Sequence, residues 1–311
     1  MENLDFGDET LAVLTRNNMV ESVHAGHFVM LNADGSIYKS KGNPDLPIYP
    51  RSAVKSLQAS AMVRNGLKLP PRLLALVCAS HSGSSMHQDA ALEILDSAGL
   101  AESDLQNSFD KPLGIREREA WGDKPATRLA MNCSGKHSGM LATCFANGWS
   151  INDYLSDTHP LQQAIIKEFE ELSGEKILTQ TVDGCGAPLF AISTLGLAQA
   201  IYRLTLSDDP VHQEVVAACR AFPEMVAGEE RLTTKLMREV PGLFMKEGAE
   251  AVEVASLADG RTVVFKISDG SNRAFPAIIQ AVLNEWGVHA EIEQVEIKGG
   301  GKPVGSIIAT I

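Results

Sequence analysis

The chain has 311 residues, a formal net charge of −12 and 44% hydrophobic residues, which is enough apolar material for a sizeable core. This acidic balance argues against a nucleic-acid partner or an anionic membrane surface, because both would repel it. The first ten residues carry no basic side chain, and the longest apolar run, residues 73–79, is too short to span a bilayer. Five cysteines, an odd number in a long chain, indicate reduced thiols. We therefore expect a cytoplasmic protein without membrane or nucleic-acid partners.

The N-terminal residues predict strands followed by a helix. Residues 17–24 and 27–32 are rich in Val, Met and Phe, and the turn sequence of residues 32–35 follows them, which predicts a β-hairpin. Residues 52–63 then show helical spacing of their apolar side chains and stop before a glycine. Ser52 is expected at the start of that helix.

The middle of the chain is mostly helical in pattern, and the C-terminal part returns to strands. Helical spacing recurs between residues 86 and 240, at residues 89–97, 161–172, 195–204 and 211–221. Strand patterns at residues 251–254 and 262–267 flank a turn, and a helix over residues 273–286 follows.

These elements predict an α+β fold in which an antiparallel sheet is built from both termini and packs beside a mainly helical lobe. We assign residues 1–51 and 241–311 to the sheet-containing lobe and residues 52–240 to the helical lobe. A cleft between the two lobes is the expected site.

The pair Ser52 and Lys55 is the first candidate for chemistry, because residues three apart on a helix share a face. A lysine amine can deprotonate a serine hydroxyl only when it is neutral, which requires burial or a nearby cation. The Ser-x-x-Lys spacing occurs four times in the chain, but only this pair opens an apolar-faced helix. The ordinary alternative is a serine cap followed by a surface lysine.

Three further segments combine small and reactive residues. Residues 78–83 form an apolar run that ends in Ser80, His81 and Ser82, as active-site loops after a buried strand often do, and the ordinary alternative is a Ser/Gly turn that caps a helix beginning near Met86. Glycine-bearing loops at residues 132–137 and 183–188 each contain a cysteine, for which buried, inert thiols are the alternative to zinc ligands.

Lys246 precedes the C-terminal strand pair and is a candidate second cation, with an exposed turn lysine as the ordinary interpretation. Lys266, on the strand predicted over residues 262–267, is the alternative second lysine.

Together these segments resemble, in order and over nearly the whole chain, the sequence blocks of the rhizobial-type L-asparaginases, also called the L-asparaginase II family. The blocks are Glu21-Ser22-Val23-His24-Ala25-Gly26, Arg51-Ser52-Ala53-Val54-Lys55, Ala79-Ser80-His81-Ser82-Gly83, Asn132-Cys133-Ser134-Gly135-Lys136-His137, Asp183-Gly184-Cys185-Gly186-Ala187-Pro188 and Lys246-Glu247-Gly248-Ala249-Glu250. That family is similar in fold to serine β-lactamases and serine-dependent glutaminases.

The resemblance implies an L-asparagine amidohydrolase that forms a serine acyl-enzyme and assembles as a homodimer. It implies Ser52 as nucleophile, Lys55 as its base, and a second pair formed by Ser80 with Lys246. It also implies a zinc ion bound by three side chains, Cys133, Lys136 and Cys185.

Two positions depart from the family pattern, and several functions stay open. Ser84 stands where the family usually has Glu, and Glu247 stands where related folds often have Ser or Thr. A glutaminase or β-lactam hydrolase would use the same serine and lysine chemistry. A non-catalytic amino-acid-binding protein of the same fold is the alternative outside the enzymes.

Overall fold

The structure is a computed structural model that describes residues 6–311. Its strands are Glu9–Arg16 (β1), Met19–Leu31 (β2), Ile37–Lys41 (β3), Pro47–Ile48 (β4), Gln180–Val182 (β5), Pro188–Phe190 (β6), Ile192–Ser193 (β7), Phe244–Gly248 (β8), Val252–Ser256 (β9), Thr262–Ile267 (β10), Ile297–Gly299 (β11) and Lys302–Ala309 (β12). Its α-helices are Lys55–Arg64 (α1), Pro71–Val77 (α2), Ser85–Ser97 (α3), Ile115–Trp121 (α4), Ser134–Asn147 (α5), Pro160–Ser173 (α6), Thr194–Leu206 (α7), Pro210–Ala221 (α8), Pro223–Val226 (α9), Leu232–Glu239 (α10) and Phe275–Glu285 (α11).

The main sheet has eight strands from both ends of the chain, in the order β11-β12-β1-β2-β10-β9-β8, with β3 paired to β2. All of its pairings are antiparallel. The segment between β3 and β8 is mainly helical, with only short strands. The predicted α+β fold, with a sheet built from the two ends of the chain, is therefore confirmed, while the exact lobe boundaries stay a prediction.

Helices cover both faces of the sheet, and side-chain alternation along the strands decides which residue faces which helix. On one face Phe265 of β10 packs against Phe275 of α11, with ring centroids 6.1 Å apart. On the other face Thr262 and Ser256 are linked by hydrogen bonds to Thr205 of α7. The second face also carries Lys246 and is the one that the helical lobe covers.

The helix that starts at residue 55 packs against α5, α6 and α8, so α1 is enclosed by other helices. Eight of its residues are buried, including Lys55, Ser56, Gln58 and Ser60. Only the C-terminal end of α1, at Arg64, is exposed, and the turn of residues 51–54 that leads into α1 packs against β8. In the part of the chain that the structure describes, no helix is long and apolar enough to cross a membrane.

One predicted element was wrong: the apolar run before Ser80 is helix α2 rather than a buried strand. Pro71 occupies the first turn of α2, where its missing N–H costs nothing, and residues 73–77 are all buried against neighbouring helices. A short, wholly apolar run has no periodicity that separates a buried helix from a buried strand. Strands β1 and β12 were also missed.

Candidate active site

Ser52 lies in a 3₁₀ turn, Arg51–Val54, that leads directly into α1. Arg51 has a φ of +52°, a left-handed conformation that is unfavourable for a residue with a Cβ. The Arg51 guanidinium is held by Asp183, with 2.6 Å between Nε and Oδ1. This ion pair ties the backbone just before Ser52 to the loop that carries Cys185.

The Lys55 amine is buried and points toward Ser80 rather than Ser52. Lys55 Nζ donates to the carbonyl of Ala79, lies 3.2 Å from Ser80 Oγ and lies 3.1 Å from Cys133 Sγ. The Ser52 hydroxyl, on a residue only 8% exposed, makes no hydrogen bond with any residue in the range 6–311. Its hydroxyl is therefore free to turn toward a substrate.

Ser80 lies between two lysine amines. Its backbone N–H donates to the Val226 carbonyl at 3.0 Å, which fixes the loop after α2. Lys246 Nζ, from β8, donates to Ser80 Oγ at 2.9 Å on the opposite side from Lys55. Ser80 thus links the two lysines by hydrogen bonds.

The environment of Lys246 favours its neutral form. The side chain is 1% exposed. Burial, followed by the positive charge of Lys55, lowers the pKa of Lys246 from 10.5 to about 8. Near neutral pH this amine can therefore both release and accept a proton.

Gly248 allows β8 to approach the Ser52 turn. A Cβ at this position would lie 2.7 Å from the Pro50 carbonyl oxygen and 3.1 Å from the Ala53 nitrogen. Any side chain would therefore push the strand that carries Lys246 away from the turn that carries Ser52. Side chains alternate along a strand, so the Lys-x-Gly spacing places the Lys246 amine on the same face of β8 as the contact between Gly248 and the Ser52 turn.

Lys266, the alternative second lysine, lies two strands away on the same face. The sheet register pairs Gly248 with Val252, and Val252 with Lys266. Lys266 Nζ donates to the carbonyls of Glu250 and Ile267 at 2.6 and 2.7 Å. The structure thus brings Lys246, and not Lys266, to Ser80.

The three residues expected to bind zinc lie together beside Lys55. Lys136, in the first turn of α5, places its Nζ 3.2 Å from Cys185 Sγ. A hydrogen bond from the Cys133 thiol and the positive charge of Lys136 hold the pKa of Cys185 well below its usual value, although burial acts in the opposite direction. The same hydrogen bond, together with burial, raises the pKa of Cys133.

The separation of the Cys185 and Lys136 ligand atoms suits a tetrahedral zinc ion, whereas a lysine amine is an unusual third ligand. Two ligands of one such ion, a sulfur and a nitrogen, would be about 3.6 Å apart, close to the separation of Cys185 and Lys136. Residues 6–311 contain no cluster of three His, Cys, Asp or Glu side chains that could hold a metal, so the third protein ligand would have to be the lysine amine. The residues fit the ion if Lys136 loses its proton on binding.

Sequence reasoning named His81 but gave it no role. His81 Nε2 lies 2.8 Å from Ser134 Oγ at the start of α5, and its backbone N–H donates to the Asn132 carbonyl. Burial lowers the pKa of His81 well below its usual value, so the ring is neutral. His81 therefore joins the Ser80 loop to the Cys133 loop, and its position directly after Ser80 was the available signal.

The two departures from the family pattern have different surroundings. Glu247 points to the opposite face of β8 from Lys246, where its carboxylate is 2.5 Å from the Arg231 guanidinium. It therefore does not line the site. Ser84 Oγ lies 2.8 Å from His87 Nδ1, at the start of α3.

A buried serine hydroxyl that bonds two lysine amines suits a serine-dependent hydrolase, and one of these lysines begins the helix that follows the turn of a second serine, Ser52. The chain belongs to the L-asparaginase II family, whose model matches residues 12–308. The protein is therefore a hydrolase, and this membership supports amide hydrolase activity.

Two solved structures show a distant similarity to the chain. A β-lactamase from Mycobacterium bovis matches with a TM-score of 0.45 and 14% identity, covering 84% of this chain and 94% of that one. Mglu in its native form matches with a TM-score of 0.38 and 13% identity, covering 85% of this chain and 64% of that one. None of the curated proteins compared with the chain matches it.

Proposed function

We propose that the protein hydrolyses the side-chain amide of L-asparagine to L-aspartate and ammonia through an acyl-enzyme on Ser52. The observation that carries this proposal is the hydrogen-bonded series from Lys55 Nζ through Ser80 Oγ to Lys246 Nζ, with separations of 3.2 and 2.9 Å. Such a series can move a proton in either direction beside a nucleophile.

In the first half of the reaction Lys55 passes a proton through Ser80 to the amine of Lys246, and Ser52 Oγ attacks the amide carbon as its own proton passes to Lys55, the base. The Ala53 N–H already donates to the Pro50 carbonyl at 3.1 Å, but the Ser52 N–H has no acceptor within the 3₁₀ turn, so it can stabilise the oxyanion. The carbon–nitrogen bond then breaks as the departing nitrogen takes a proton through Ser80, and ammonia leaves. Water hydrolyses the resulting ester and restores the Ser52 hydroxyl.

Ammonia release from asparagine tests this assignment with single variants. Ser52→Ala and Lys55→Met should each lower kcat by roughly a thousandfold or more, because they remove the nucleophile and its base. Near wild-type rates in either variant would remove the assignment.

Ser80 is a second candidate nucleophile, because its hydroxyl contacts both lysines whereas Ser52 contacts neither. Peptide mapping of an enzyme quenched during turnover distinguishes the two. We expect the aspartyl ester on the peptide that contains Ser52, and an ester on Ser80 would reverse the roles.

We also propose that Cys133, Lys136 and Cys185 bind zinc. When bound, the ion would act as a Lewis acid that orients the substrate, and the two lysines would still activate Ser52. Metal analysis of protein purified without chelator should find zinc in the unmodified protein and a loss in Cys133→Ser and Cys185→Ser. A metal-free unmodified protein would contradict the site.

The competing functions are separated by one substrate panel. Ammonia release from asparagine and glutamine, and hydrolysis of a chromogenic β-lactam, distinguish an asparaginase from a glutaminase or a β-lactam hydrolase. Saturable asparagine binding without turnover would instead support a non-catalytic amino-acid-binding protein.

A further inference from the structure

A cavity of about 500 Å³ borders the Ser52 turn, and the proposed mechanism leaves it without a role. Arg51, the residue just before Ser52, forms part of its wall, while Ser52, Ser80 and Lys246 themselves do not. Cavities of this size hold ligands considerably larger than a single small amino acid. The cavity therefore extends beyond what asparagine needs.

The wall of the cavity is mainly apolar. Its apolar side chains come from Phe6, from residues 46–49 around β4, and from Val182 and Leu189 of β5 and β6. Val182 is 67% exposed and Tyr49 is 37% exposed, although both are large apolar side chains. An apolar ligand group would remove this surface from water.

Two cations line the cavity, Arg51 next to Ser52 in the chain and Lys266 on β10. Arg51 uses its Nε for Asp183, and its two terminal nitrogens have no partner among residues 6–311. Lys266 donates two of its three N–H groups to backbone carbonyls, which leaves one for a ligand. His27 also lines the cavity, but its ring nitrogens are engaged by Asp8 and the Asn43 N–H.

We propose that the cavity binds the part of the substrate beyond the scissile amide, and that the preferred substrates are asparagines acylated on the α-nitrogen. The α-carboxylate pairs with Arg51 and Lys266, and the acyl chain packs against the apolar wall. Free asparagine would leave that wall exposed and would bring an α-ammonium next to two cations. This inference rests on the proposed amidase function.

The first test compares kcat/KM for Nα-hexanoyl-L-asparagine with that for L-asparagine, by ammonia release. We expect a value roughly tenfold higher for the acylated substrate, equivalent to about 1.4 kcal/mol. Turnover of asparagine with an equal or better kcat/KM would overturn the cavity assignment and leave the amidase function intact. No ammonia from either substrate would overturn both.

Two substitutions test whether the higher kcat/KM of the acylated substrate depends on the cavity. Val182→Trp should fill the cavity and remove the advantage of the acylated substrate, while the matched change Leu178→Trp, on an exposed leucine outside the cavity, should preserve it. Equal effects of the two changes would contradict the proposal.

The carboxylate contact is tested by Lys266→Met, with Glu250→Gln as a comparison at the cavity edge. Lys266→Met should raise KM for both substrates several-fold and leave kcat unchanged, because the carboxylate is common to both. Glu250→Gln should leave the acylated substrate unaffected. If Glu250 instead binds the α-ammonium of free asparagine, Glu250→Gln will lose activity on asparagine. Such a loss in Glu250→Gln, with no rise in KM in Lys266→Met, would overturn the proposal.

Discussion

Lys246 is a cation that the protein buries at a cost in stability. The unfolded chain keeps its proton up to a pH of about 10.5, whereas the folded protein releases it near 8. The folded state therefore carries a cost on the order of 3 kcal/mol below pH 8, which fades as the pH rises toward 10.5. A group retained under such conditions is expected to serve the reaction.

The substitution Lys246→Met should separate function from stability. We expect kcat for ammonia release to fall on the order of a hundredfold, because the proton donor to Ser80 is lost. The urea midpoint at pH 7 should stay equal or rise, since the burial cost disappears. Lys235→Met, at an exposed lysine, is the control for both measurements, and a large drop in the urea midpoint of Lys246→Met would indicate a structural role instead.

The pH profile of kcat/KM should report the same group. If neutral Lys246 is needed, activity rises with pH and levels off above about 8. The negative charge of Glu247 raises the pKa of Lys246, and Arg231 lowers it. Glu247→Gln should therefore move the acid limb to lower pH while leaving the plateau nearly unchanged. An acid limb that moves to higher pH, or does not move, would argue against Lys246.

At the scale of elements, the site depends on the contact between β8 and the turn before α1. Gly248→Ala should separate them, because a Cβ would lie 2.7 Å from the Pro50 carbonyl oxygen, a backbone atom that cannot easily move. We expect at least a tenfold loss of activity with circular dichroism unchanged.

Gly299→Ala on β11 is the matched control, since its nearest neighbour is a Val304 side-chain atom at 3.1 Å that can shift. Equal activity losses in the two variants would show that the loss does not come from the β8 contact.

The elements also show what a single sequence can and cannot predict. The helices with a clear apolar period, such as α6 and α8, were predicted within a few residues, and so were β9 and β10. Helix α2 was not, because its apolar run is buried on all sides and has no period. β1 and β12 were missed, because each is only partly buried and its apolar run is short, residues 11–14 in β1 and residues 307–309 in β12.

The site was predictable as a set of residues but not as a network. Resemblance to the family named Ser52, Lys55, Ser80 and Lys246, and the structure places three of these in one hydrogen-bonded series. It could not reveal that Lys55 contacts Ser80 instead of Ser52, because that depends on the path of the loop after α2. Lys246 looked like an exposed turn lysine because the helical lobe that buries it, including Ser80, lies far away in the sequence.

For the whole molecule, we propose a homodimer, as the family resemblance suggests. Sedimentation equilibrium should give twice the chain mass of 33.4 kDa at micromolar concentration. A mass that stays at the monomer value across a hundredfold concentration range would contradict the dimer.

The central claim is that Ser52 is the nucleophile and that the two lysines serve it through Ser80. The most direct measurement is the rate of ammonia release from L-asparagine by Ser52→Ala and Ser80→Ala beside the unmodified protein. We predict a loss of roughly a thousandfold or more for Ser52→Ala and a loss on the order of a hundredfold for Ser80→Ala. A Ser52→Ala protein that releases ammonia at close to the unmodified rate would contradict the account.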